Sequence, residues 1–98
     1  MRVMFMGSKS AAGVPTDVTS IFPFNAYVDE RVGVVQAAFG GTATVTIEGQ
    51  LNGTAGWTTI TTISSADTSK AKTVALMPEM RINITAYTSG SVNCWLGI

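Results

Sequence analysis

Thr42-Ala43-Thr44-Val45-Thr46-Ile47-Glu48-Gly49-Gln50-Leu51, followed after a Gly/Asn break by Trp57-Thr58-Thr59-Ile60-Thr61-Thr62-Ile63, decides how this chain folds. Successive side chains of a strand point to opposite sides, so Ala43, Val45, Ile47 and Leu51 share one face while Thr44, Thr46, Glu48 and Gln50 share the other. The pattern is that of a half-buried antiparallel strand. Such a strand is not stable alone, so its flanks must supply further strands to cover the apolar face. In Trp57 to Ile63 the apolar residues lie three apart, which puts Trp57 and Ile60 on opposite faces unless a bulge intervenes. The β-branched and aromatic content of that run favours strand over helix.

Working outward, Gly40-Gly41 predicts a tight hairpin turn into this stretch from a preceding strand, Val32 to Phe39. On that strand Val35, Ala37 and Phe39 share one face and Val32, Val34, Gln36 and Ala38 the other, so both faces are partly apolar. Two-sided apolarity requires cover on both sides, and in so small a domain the second cover is expected from another subunit. Further upstream, Asp17 to Phe22 and Phe24 to Val28 read as short strands interrupted by Pro23, with Asp29-Glu30-Arg31 as a solvated turn. Arg2 to Met6 reads as a short strand or as an arm docked on a neighbour. Gly7 to Thr16 has the composition of a loop.

Downstream, Asn52 to Gly56 is a loop and Ser64 to Lys72 an exposed polar connection. Thr73 to Met77 is a short strand closed by Pro78. Arg81 to Tyr87 alternates with Ile82, Ile84 and Ala86 inward; Ser91 to Ile98 alternates with Val92, Cys94 and Leu96 inward. Pairing these two runs as a hairpin sets Ile84 opposite Cys94 and Ala86 opposite Val92, with Thr88-Ser89-Gly90 as a three-residue loop and Gly90 in the left-handed conformation. That register gathers Asn83, Tyr87, Asn93 and Trp95 on one outer surface. The prediction is an all-β fold: a single antiparallel β-sandwich, jelly-roll-like, of seven to eight short strands over residues 1–98, with residues 1–15 as a candidate extended N-terminal arm.

Composition narrows the function. The 98 residues carry six basic and six acidic side chains, and the charged share of 12% is about half the usual one. With no run of either sign there is no electrostatic footprint for nucleic acid. Near-zero net charge also removes long-range repulsion between copies, which favours an oligomer. No stretch approaches the ~18 apolar residues of a membrane helix, and the apolar run at the start is too short for a signal peptide. The absence of histidine rules out His-based triads and metal sites. Cys94, flanked by Val92 and Leu96, reads as a buried inert thiol rather than a nucleophile. Of the scattered carboxylates only Asp29 and Glu30 adjoin, and neighbouring side chains on a strand or turn diverge. No catalytic residue, cofactor or metal ligand is therefore assigned, and the chain is expected not to be an enzyme.

Asn52-Gly53-Thr54 and Asn83-Ile84-Thr85 match the N-glycosylation pattern by chance, without a secretory route. Trp57 reads as a core residue. Trp95 reads as an interface anchor, with a core position and stacking on a sugar ring as the alternatives.

The segments Val45-Thr46-Ile47-Glu48-Gly49-Gln50-Leu51-Asn52-Gly53-Thr54, Trp57-Thr58-Thr59-Ile60 and Met80 to Val92 resemble small β-sandwich proteins encoded among tailed-phage virion genes. In that type a hairpin V-x-I-x-G-x-L-x-G-T…W precedes R-x-x-x-T-A-Y-T-S-G-x-V near the C-terminus. The resemblance covers about half of the chain, and Asn52 stands where Asp is common. It implies a non-enzymatic virion structural protein: a head decoration or cement protein, or a fibre or tail component. Such a protein is made in the host cytoplasm and resides in the virion, with partners expected to be itself, as a homotrimer, and the major capsid protein or another virion protein, and neither nucleic acid nor membrane. Met1 to Pro15 would then be an arm that orders on the capsid or a neighbouring subunit. Val32, Val34, Tyr87 and Trp95 are the candidate contact residues. The alternative is a carbohydrate-binding or adhesion module of a fibre or tail, with Asn83, Tyr87, Asn93 and Trp95 as its glycan surface.

Overall fold

Alternation in β3, Ala43–Gln50, buries Ala43, Val45 and Ile47 on its inner side as expected, and the strand forms the middle of a sheet; Leu51, expected on the same face, lies past the strand end and is exposed, while Thr46 and Gln50 on the other face are buried as well. The computed structural model describes residues 3–15, 32–51, 53–54 and 56–98. The strands expected at Asp17–Phe22 and Phe24–Val28, with the turn after them, lie outside the described residues. Among those described the fold is all-β and without helix. The strands besides β3 are β1 (Val3–Lys9), β2 (Val32–Phe39), β4 (Thr58–Ser64), β5 (Ala71–Ala75), β6 (Glu79–Tyr87) and β7 (Val92–Gly97). Two antiparallel sheets, β1-β7-β2-β5 and β4-β3-β6, pack as a β-sandwich.

The core lies between the sheets. Val35 and Ala37 of β2, Val74 of β5, Val92, Cys94 and Leu96 of β7 face Val45, Ile47, Ile63, Met80, Ile82 and Ile84 of the smaller sheet, and Met6 of β1 joins them. Val3–Lys9 forms a strand hydrogen-bonded to β7, which is the strand reading of Arg2 to Met6 rather than the arm, and it extends into the stretch from Gly7 expected as a loop. A bulge between Phe5 and Gly7 turns Met6 fully into the core. The chain then crosses to the free edge of β6, where Gly13 and Ile84 exchange two backbone hydrogen bonds of 2.9 Å.

Neither expected hairpin forms. β2 and β3 lie in different sheets, as do β6 and β7, so Gly40-Gly41 and Thr88–Ser91 are arches from one sheet to the other. Ile84 pairs with Val45 and Cys94 with Ala37 and Gly7, in place of each other. The physical reason is that alternation fixes which side chains are buried, while two apolar faces can meet side by side in one sheet or across a sandwich. The arches run together: the Gly40 amide donates to the Ser91 carbonyl at 2.8 Å, and the Thr88 and Ser89 amides both donate to the Thr42 carbonyl. Gly90 has φ +81°, the left-handed conformation expected of it, and a Cβ there would come within 2.3 Å of the Gly41 amide nitrogen. A two-stranded ribbon, β2 with β7, thus passes over the arches as β3 with β6, which is the winding of a jelly roll.

Bulges account for the remaining departures from simple alternation. Ile60 is the extra residue where β4 slips against Ile47 and Glu48, which lets Ile60 and Ile63, three apart, both pack on the core. Thr85 is the extra residue where β6 slips against Thr44 and Val45, so Ala86, expected inward, is exposed.

Candidate interaction surface

The outward residues of the four-stranded sheet follow from its register. One row across the sheet is Val3, Gly97, Val34, Thr73; the next is Phe5, Trp95, Gln36, Ala71; Asn93 and Ala38 continue it at one end and Val32 and Ala75 at the other. No charged residue occurs among these described positions. Val3 is 65% exposed, Phe5 49%, Val32 55%, Val34 38% and Trp95 36%. The Phe5 and Trp95 rings, directly opposed on neighbouring strands, lie 5.8 Å apart and tilted by 55°, an arrangement favoured by aromatic quadrupoles. A contiguous exposed apolar face of this kind marks an interaction site more often than an ordinary surface.

Three of the four predicted contact residues, Val32, Val34 and Trp95, fall on this one face. Tyr87 does not: it ends β6 in the other sheet, paired with Ala43. Val3 and Phe5 complete the face. Their signal was present as period-two alternation against Met4 and Met6, but a short apolar start reads equally well as an arm.

The predicted glycan surface is not assembled. Asn93 and Trp95 belong to the outer face of the four-stranded sheet, whereas Asn83 and Tyr87 belong to the three-stranded one. The inferred register failed because it joined β6 to β7 in one hairpin. Asn83 has a local partner instead, its Nδ2 donating to Glu48 Oε2 at 3.3 Å.

The outer face of the three-stranded sheet is polar and internally bonded. Arg81 Nε donates to Glu48 Oε1 at 2.7 Å, with side chains only 22% and 14% exposed. The Arg81 guanidinium also lies 4.2 Å from the Trp57 ring centroid, a cation–π stack. Trp57 is thus half-buried over Arg81 and outside the core cluster, contrary to the core position expected for it. The bulge at Ile60 separates the two residues, so that the isoleucine packs on the core and the indole meets the outer face. Farther along, the Thr46 and Thr85 hydroxyls are 3.0 Å apart, and Gln50 Nε2 donates to the Glu79 carboxylate. No buried side-chain polar atom among the described residues lacks a partner.

The exposed edge of β4 is closed by side chains. The Ser64 amide donates to Asp67 Oδ2 at 2.8 Å and the Thr62 carbonyl accepts from Lys72 Nζ at 2.6 Å, while Lys70 Nζ donates to the Asp67 carbonyl. Capping of this kind opposes strand addition. Cys94 is fully buried, and burial pushes its thiol from 9.0 up to about 12, which leaves it protonated and unreactive at neutral pH. No group of three or more metal-binding side chains occurs among the described residues. Comparison with protein-family models, curated proteins and solved structures finds no match.

Proposed function

We propose that the chain is a non-enzymatic structural subunit of a tailed-phage virion, a head decoration or cement protein, that works by protein–protein contact through the outer face of the four-stranded sheet. The observation that carries the assembly role is the chargeless apolar face of Val3, Phe5, Val32, Val34 and Trp95. The virion setting is supported by the sequence resemblance over Val45 to Val92 and by a jelly-roll winding that also serves capsid proteins.

In mechanism, each contact removes apolar area from water at about 25 cal/mol per Å², and repetition over many copies multiplies a modest contact into a stable shell. The fibre or adhesion alternative has lost its shared surface, since its four residues are divided between the two sheets.

The test combines two measurements. Quantitative mass spectrometry of density-purified phage particles is expected to find the chain in fixed ratio to the capsid subunit; its absence from particles would remove the virion setting. Trp95→Ala is expected to weaken self-association or particle retention without altering binding to a glycan panel. Loss of glycan binding in an unchanged oligomer would support adhesion instead.

A further inference from the structure

We infer that the partner seated on the outer face of the four-stranded sheet is a second copy of this chain, bound face to face about a twofold axis lying in the interface along the strand direction. The inference rests on the assembly reading above and fixes its first step. A single patch that serves both sides of a contact closes as an isologous pair, whereas a threefold ring, which the resemblance implies, needs two different complementary patches. Only one chargeless apolar sheet face is present among the described residues.

The shape of the face supports this axis. The aromatic side chains Phe5 and Trp95 stand on the β1–β7 half, and the small Ala71 and Ala75 on the β5 side. Rotation about an axis running between β7 and β2 preserves the level along the strands and exchanges the two halves. Phe5 of one copy then lies over Ala71 of the other, Val3 over Thr73, Val34 over Gly97, which has no side chain, and Trp95 over Gln36. An axis across the strands at the level of Phe5 would set the Phe5–Trp95 ridge on its own copy. The Phe5–Ala71 and Val34–Gly97 pairs set large against small, as packed sheets interdigitate across their ~10 Å separation.

Area and charge agree. The exposed parts of these residues amount to roughly 600–700 Å² per copy, so a pair would bury about 1,200–1,400 Å², which enters the range of stable specific interfaces. With no charge on the face, no desolvated ion opposes contact.

The experiment is light scattering on the full chain from about 1 to 100 μM together with sedimentation of a fluorescently labelled chain down to about 1 nM, a range that spans the micromolar to nanomolar dissociation constants common for interfaces of this size. The expected mass is twice 10.2 kDa. Val34→Lys and, on the exposed edge strand, Ala71→Glu are each expected to raise the dissociation constant at least ~30-fold with an unchanged far-ultraviolet spectrum. Thr62→Lys, on the other sheet, is expected to leave it unchanged. Because Cys94 is buried, a bismaleimide can report the axis: a mixture of Val3→Cys and Thr73→Cys chains is expected to cross-link as mixed pairs in preference to Val3→Cys pairs.

A trimer weakened by Val34→Lys would overturn the twofold pair and leave the assembly role standing. A dimer indifferent to both face substitutions would overturn the proposed face. A monomer throughout, with the face covered by the chain's own residues 16–31 or reserved for a different protein, would overturn the pair, and particle composition would then decide the virion reading separately.

Discussion

The two outer faces of the sandwich are built on the same kind of strand and treat water in opposite ways. On the three-stranded sheet, Glu48, Arg81, Asn83, Thr46 and Thr85 satisfy one another, and the aromatic Trp57 is spent on Arg81. On the four-stranded sheet the aromatic pair Phe5 and Trp95 stands exposed, ring against ring, and its described neighbours across the face are uncharged. A surface whose polar groups are already paired has little to gain from a partner, whereas exposed apolar area gains from any cover that fits. The difference teaches that low charge alone does not make a sticky protein; what matters is which face has its needs met within the chain.

The shared core between the faces sets the scale against which their differences are read, and Cys94 gives its largest signal. Its thiol is held neutral by burial, with the folded value raised from 9.0 to about 12. That stability is intact below about pH 9 and is lost progressively as pH climbs toward about 12, at roughly 1.4 kcal/mol per pH unit. Urea titrations across this window should show the slope in the parent chain and its loss in Cys94→Ala. Equal slopes in the two would mean that the thiol is not sealed in the core.

Next in size is the polar face. Arg81→Ala leaves the Glu48 carboxylate nearly buried without its cation and removes the stack on Trp57, and should cost about 2–4 kcal/mol. The double substitution Glu48→Gln with Arg81→Met should recover part of that loss; failure to recover would show that the stack on Trp57 outweighs the ion pair. Thr46→Val removes the hydrogen bond between the buried Thr46 hydroxyl and the exposed Thr85 and should cost about 1 kcal/mol by the same titration. Smallest is the apolar face: Val34→Thr should change monomer stability by less than about 0.5 kcal/mol while still weakening self-association. If it destabilised the monomer as strongly as Thr46→Val, the two faces would be structurally alike and the contrast would fail.

Much of the inward and outward choice was legible in the sequence. Val35 and Ala37 against Val32, Val34 and Gln36, or Ile82 and Ile84 against Arg81 and Asn83, are divided as period two requires. What was illegible is neighbourhood. The same alternation in β6 and β7 fits a hairpin or an arch, and only long-range packing selects between them. Gly90 illustrates this, since the left-handed residue was identified correctly while the loop it serves joins two sheets. Bulges are the second blind spot: Ile60 and Thr85 each shift parity by one, which carried Trp57 out of the core and Ala86 into solvent. The candidate surface was readable at Val32, Val34 and Trp95, where a strand is apolar on both sides. It was unreadable at Val3 and Phe5, where the run is too short to tell a strand from an arm.

The place of β7 has a consequence for how copies are made. It is synthesised after the other six described strands, yet it sits between β1 and β2, with Val3 paired to Gly97. Until Val92 to Gly97 has left the ribosome, β1 has no neighbour in its sheet and the Phe5–Trp95 pair does not exist. Interrupted translation products therefore lack the completed outer face, and under the assembly proposed above the order of synthesis would screen out incomplete copies.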